Sequence, residues 1–165
     1  MQAPKLTLIL SICLILSLFG GVSCAKKPSL AFLDAGIVVS SDTTGASSAR
    51  ARVAFTDYTS SFNGDVLLVT FSDGAGNTMT FHLAGSGGNV TDGTYDIDGA
   101  QNTFQAQLVI TSNLQPQLVA ISGSSGFIEV TSANIDGNQV TSFSGSFSVN
   151  FETGGSGTGT FNTAN

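Results

Sequence analysis

Residues 142–152 read Ser-Phe-Ser-Gly-Ser-Phe-Ser-Val-Asn-Phe-Glu. Phe143, Phe147, Val149 and Phe151 alternate with Ser142, Ser144, Ser146, Ser148 and Asn150, so every second side chain is apolar. On a helix Val149 would fall on the side away from Phe143, Phe147 and Phe151, and Ser and Asn would be interspersed with the rings. On a strand it gives one dry face and one wet face. The same period of two recurs near 30–39, 50–57, 65–72, 77–84, 104–111, 117–122, 126–134, 139–152 and 157–162, and no long stretch carries apolar residues at helical spacing. The pattern predicts an all-β domain, an antiparallel meander of about eight to nine strands forming a β-sandwich or a partly closed β-barrel. Charged residues make up only 10% of the chain, against about 25% in ordinary domains. The polar surface must therefore come from Ser, Thr, Asn, Gln and Gly, which suit strand faces and turns better than helices.

A slip of one residue turns every side chain of a strand to the opposite face, so the pattern also constrains register. Joining 65–72 to 77–84 through Gly74-Ala75-Gly76 sets Phe71 opposite Met79, Val69 opposite Phe81 and Leu67 opposite Leu83. An Asp136-Gly137 turn sets Val130 opposite Phe143 and Ile128 opposite Gly145. A three-residue loop, Gly154-Gly155-Ser156, sets Phe161 opposite Val149, which makes 126–162 a three-stranded meander. At Asn63-Gly64 a strict two-residue hairpin pairs apolar with polar residues, so a longer connection is expected. Gly85–Asn102 reads as loop with a short strand around Tyr95. The echo of Ser-Gly-Ser-Phe (144–147) in Thr-Gly-Thr-Phe (158–161) reads as facing strands, since nothing similar recurs at a fixed period.

The first residues carry a different message. Lys5, an apolar run from Leu6 to Phe19 and the small residues Gly20, Gly21 and Ser23 have the three parts of a secretory signal. Gly21-Val22-Ser23-Cys24 then resembles the lipobox of bacterial lipoproteins, with Gly21 standing where that pattern usually has Leu. The resemblance implies cleavage before Cys24 and joining of its thiol to diacylglycerol. Cys13 lies in the segment removed, so the mature chain keeps one Cys and no internal disulfide is available to it. With its Gly-Ser-Phe and Gly-Thr-Phe strands behind a lipobox, the chain resembles the small, uncharacterised all-β lipoproteins of Bacteroidota. That likeness implies a compartment and a fold class, not a reaction. Ala25 after the Cys implies transfer to the outer membrane, and Ala25-Lys26-Lys27 in place of an acidic run implies a periplasm-facing anchor. The expected organisation is signal peptide 1–23, lipidated tether 24–29 and a single domain 30–165.

Removing the signal leaves Lys26, Lys27, Arg50 and Arg52 against 11 acids. Such a chain has no electrostatic footprint for nucleic acid. Its one histidine, His82, is expected to point away from Phe81 and Leu83 and to lie across from Leu68, a partly exposed strand residue rather than a general base. Asp92, Asp96 and Asp98 fall in one Gly-rich loop, Thr-Asp-Gly-Thr-Tyr-Asp-Ile-Asp-Gly, and closely spaced carboxylates can hold Ca²⁺. The EF-hand spacing and its closing Glu are absent, however, and turns need Asp and Gly on their own account. Without Trp and with two Tyr, the chain lacks the flat aromatic platform of a strong polysaccharide binder. Arg50 and Arg52 share one strand face. The expected role is non-enzymatic and without a cofactor. The protein is read as a lipid-anchored envelope protein that holds the membrane through its anchor and acts in interaction or structure with an envelope partner. The alternative is a lipocalin-like barrel carrying a small apolar ligand, which must keep a cavity where a sandwich packs its Phe residues.

Overall fold

The computed structural model describes residues 28–41, 45–63, 65–85, 89–112 and 115–164, so the signal segment, Cys24 and residues 25–27 lie outside the described residues. Among the described residues, ten strands run in chain order: β1 (Ala31–Ser41), β2 (Gly45–Phe55), β3 (Asp57–Asn63), β4 (Val66–Ser72), β5 (Thr78–Ala84), β6 (Gly93–Asp96), β7 (Thr103–Ser112), β8 (Gln115–Asp136), β9 (Gln139–Phe151) and β10 (Gly155–Asn162). The protein is all-β, with every strand pair antiparallel. The sheet order is β2-β1-β10-β9-β8-β7-β5-β4-β3, with β6 attached to β8.

Two places bend this sheet. The 22-residue β8 pairs with β7 through Gln115–Ser122 and with β9 from Gly123 onward. The end strands β2 and β3 are successive in the chain, separated by Thr56 alone. The sheet is rolled between these bends without closing into a barrel, because among the described residues β2 pairs only with β1 and β3 only with β4. The resulting halves face each other across a core of phenylalanines. Phe81 of β5 meets Phe161 of β10 at 5.0 Å and Phe147 of β9 at 5.4 Å between ring centroids, and Phe104 of β7 meets Phe147 at 5.4 Å. All four rings are buried, as are Phe55, Phe71, Phe143 and Phe151. Centroid separations of this size are those of aromatic pairs in contact.

The β4–β5 register is as expected, with Phe71 opposite Met79, Val69 opposite Phe81 and Leu67 opposite Leu83. The strand around Tyr95 is β6, and β8, β9 and β10 are neighbours in a meander. Three other expectations need correction. At β3–β4, Asn63 pairs directly with Val66, a tighter join than the sequence suggested. At β8–β9, Asp136 pairs with Gln139, so the turn is Gly137-Asn138, with φ +60° at Gly137. Ile128 then faces Phe147, and Val130 faces Gly145. At β9–β10 the loop is Glu152-Thr153-Gly154, and Phe161 faces Gly145 rather than Val149.

The β8–β9 register departs from a simple hairpin because Ser124, Thr131 and Thr141 are each left without an opposed residue. Each such bulge leaves a partner carbonyl short of its ladder donor. In all three cases the bulged residue carries a hydroxyl that takes over. Ser124 Oγ donates to the Asn150 carbonyl at 3.2 Å, Thr131 Oγ1 to Ser144 at 3.1 Å, and Thr141 Oγ1 to Asn134 at 3.1 Å. Side-chain chemistry thus repairs the backbone where the register shifts.

Candidate functional site

The inward positions of β2 are held by Ala51, Val53 and Phe55, so strand periodicity sends Arg50 and Arg52 to the outer face. Across the β1–β2 ladder Asp34 stands opposite Arg52 and one step from Arg50. Arg50 Nε and Nη2 donate to Asp34 Oδ1 and Oδ2, each at 2.8 Å, in a two-pronged pair. Arg52 Nε donates to Asp34 Oδ2 at 3.1 Å. The hydrogen bond from Arg50, reinforced by the charge of both guanidinium groups, holds the Asp34 carboxyl below the usual aspartate range, and Asp34 in turn raises Arg50. Two guanidinium groups therefore share one carboxylate and leave a surplus positive charge. Both arginine side chains are largely exposed, at 65% and 62%. They are the only Lys or Arg among the described residues.

Beside this cluster runs a groove of about 710 Å³ between β2 and β7. One wall is β2 from Ser47 to Ala54; the other comprises Val109–Thr111 of β7, with Gln117 and Val119 of β8 and the β4–β5 turn residues Asp73 and Asn77. The groove exists because β2 is an edge strand and β7 runs past β5. β2 ends the sheet order, and the pairing of β7 with β5 stops at Gln107 opposite Thr78. The β4–β5 turn buttresses the far wall. Asp73 Oδ1 accepts the Ala75 and Asn77 amides at 2.8 and 3.1 Å, Asp73 Oδ2 accepts Asn77 Nδ2 at 2.6 Å, and Asn77 Oδ1 accepts the Val109 amide at 2.7 Å. Partial burial pushes the Asp73 carboxyl up, but the hydrogen bonds from Asn77 and Ala75 outweigh it and hold the group below its ordinary value.

The aspartates of the acidic loop take part in its turn hydrogen bonds. Asp98 Oδ1 accepts the backbone amides of Ala100, Gln101 and Asn102, and these bonds, led by Gln101, lower its pKa. Asp92 Oδ1 accepts the Ala133 amide at 3.2 Å, tying the loop to β8, while Asp96 enters the loop's bonding through its main-chain carbonyl, which accepts Asn102 Nδ2. All three border one shallow cleft. Among the described residues, however, no three His, Cys, Asp or Glu side chains gather as a group able to hold a metal ion. Turn chemistry takes up Asp98 Oδ1 with three backbone amides.

His82 lies opposite Leu68, as the register required, and its Nδ1 donates to the Gln101 carbonyl at 3.1 Å. Cys24, the expected lipidation residue, lies outside the described residues. Sequence reasoning placed Arg50 and Arg52 on one face but missed both Asp34 as their partner and the groove alongside. The Arg-Ala-Arg spacing was the available signal; the partner and the far wall come from strands distant in the chain. Compared with known proteins, the chain matches no family model, no curated protein and no solved structure, so the chemistry of the site carries the functional reading.

Proposed function

We propose that the chain is a lipid-anchored, non-enzymatic protein of the cell envelope, held in the outer membrane through Cys24 and acting by interaction with another envelope component. The observation that carries the interaction is the open groove along β2, flanked by the Arg50–Asp34–Arg52 cluster. The phenylalanine rings that occupy the core favour this reading over a lipocalin-like carrier, whose ligand would need the space they fill. The lipobox-like Gly21-Val22-Ser23-Cys24 supplies the anchor. An acyl chain contributes about 0.8 kcal/mol per buried methylene, so two or more chains give stable attachment.

Membrane fractionation with metabolic lipid labelling, on the full chain expressed in a Gram-negative host, tests the proposal. The parent is expected to carry the label and sediment with membranes, and Cys24→Ala to lose the label and be released. If Cys24→Ala still sediments with membranes as the parent does, the anchor reading fails. Crosslinking of the anchored parent in whole envelopes tests the other half, since an interaction protein yields defined adducts.

A further inference from the structure

A strand at the end of a sheet offers a row of backbone donors and acceptors to any extended chain that reaches it, and natural proteins usually blunt such edges. From Ser48 to Ala54 the outer edge of β2 spans roughly 20 Å at the usual strand rise, long enough for a strand of ordinary length. It opens onto the groove rather than onto bulk solvent, with Val109–Thr111 forming a second wall. We infer that this groove is a docking site for an extended, acid-bearing peptide segment of an envelope partner, which joins β2 as an added strand. The inference rests on the interaction reading above and names the chemistry of the partner.

Charge selects the occupant. A strand laid along β2 places alternate side chains beside Arg50 and Arg52 on the outer face, and the others beside Ala51 and Val53 on the inner face. Carboxylates at alternate positions then meet the surplus positive charge that Asp34 leaves uncompensated. Small apolar residues between them meet alanine and valine. A second copy of this chain fits worse, since antiparallel pairing of two β2 strands about Ala51 sets Arg50 against Arg52 of the other copy, and like charges directly opposed are destabilising. Asp73 on the far wall stays ionised and repels acid there, so the carboxylates belong on the β2 side.

The test uses the full chain in detergent and two fluorescent probes, acetyl-Thr-Val-Glu-Val-Glu-Val-Thr-amide and its analogue with Lys for Glu. Anisotropy titrations at low salt should show the Glu peptide binding about fivefold or more tighter, the scale expected of two exposed ion pairs. Hydrogen exchange should slow across 48–54 when it binds. In Arg50→Gln/Arg52→Gln the preference should fall to about one. Asp34→Asn, which frees both guanidinium groups, should raise it and keeps the test available if the double variant fails to fold. Binding of neither peptide, binding without protection of β2, or a peptide-free dimer strengthened by Arg50→Gln/Arg52→Gln would each overturn the inference. Should it fall while envelope crosslinks persist in that double variant, the interaction role survives at another surface; loss of all crosslinks in the parent removes both.

Discussion

Gly145 and Gly159 show how much of this fold depends on single missing side chains. On β9–β10 they sit directly opposite the rings Phe161 and Phe147 respectively. A Cβ on Gly145 would lie 2.7 Å from Phe161 Cζ and would also strike the Glu129 carbonyl, while one on Gly159 would lie 2.5 Å from Phe147 Cζ. Each strand's glycine therefore makes room for the other strand's phenylalanine, and the two rings cover backbone that has no side chain of its own. Gly145→Ala is expected to lower stability by about 1–3 kcal/mol in urea unfolding, the usual scale of overpacking. Replacing Phe161 by Leu in the same chain should recover part of the loss, because the clash with the ring goes with it. The reciprocal echo of Gly-Ser-Phe and Gly-Thr-Phe was legible as facing strands, but its register was not: alternation alone cannot say which ring covers which glycine. At the same scale, the hydrogen bonds to Asp73 have a pH signature. Its folded pKa is depressed, so its contribution is present above the unfolded value, near pH 4, and is lost as pH falls through the folded one. Thermal unfolding followed from pH 6 down to about pH 2 should therefore drop less steeply for Asp73→Asn than for the parent; identical slopes would mean that Asp73 does not participate.

Among the elements, β8 is where pattern reading and structure part company. The sequence suggested separate strands at 117–122 and 126–134, yet one strand runs from Gln115 to Asp136. The reason lies in its parity. Ile121 and Gly123 point inward, then Ile128 and Val130, so the buried positions change from odd to even across the Ser124 bulge. A change of parity looks like a strand end, although the backbone continues. The bulges also let one strand serve both halves of the sheet, since an extra residue bends and twists its strand. The hydroxyl of the bulged residue is what makes this tolerable, as the Thr131–Ser144 bond shows. Thr131→Val keeps the branched shape and removes the donor, and should cost about 0.5–1.5 kcal/mol in equilibrium unfolding. Thr131→Ser keeps the donor and should cost less. A larger loss in Thr131→Ser than in Thr131→Val would place the stabilisation in the methyl group and not in the carbonyl repair.

On the scale of the whole molecule, fold class and most strand positions were legible because half-buried strands display their period openly. The choice between a sandwich and a partly closed barrel was not, because it depends on Thr56 and β8 bending between layers, and neither bend leaves a local sequence signal. That arrangement gives the domain two distinct ends. Leu30 donates to the Phe55 carbonyl and accepts from the Asn162 amide, and Thr163 is bonded to Phe143, so the start and the finish of the domain lie together. The β9–β10 turn lies at the opposite end of β10, eight residues or roughly 25 Å away. On the proposed anchoring, the six residues 24–29 reach at most about 20 Å from the lipid. The Leu30 end is then held near the head groups and the β9–β10 turn is carried outward. A lipidated Cys24 also leaves the mature chain without a free thiol, so a single introduced cysteine can be labelled selectively. In vesicles containing head-group-quencher lipid, a fluorophore at Ala164→Cys should be quenched more strongly than one at Thr153→Cys. Equal quenching at the two sites would mean that the tether does not orient the domain. Quenching that is stronger at Thr153→Cys would reverse the polarity proposed here, and with it the expectation that the β9–β10 end faces away from the membrane.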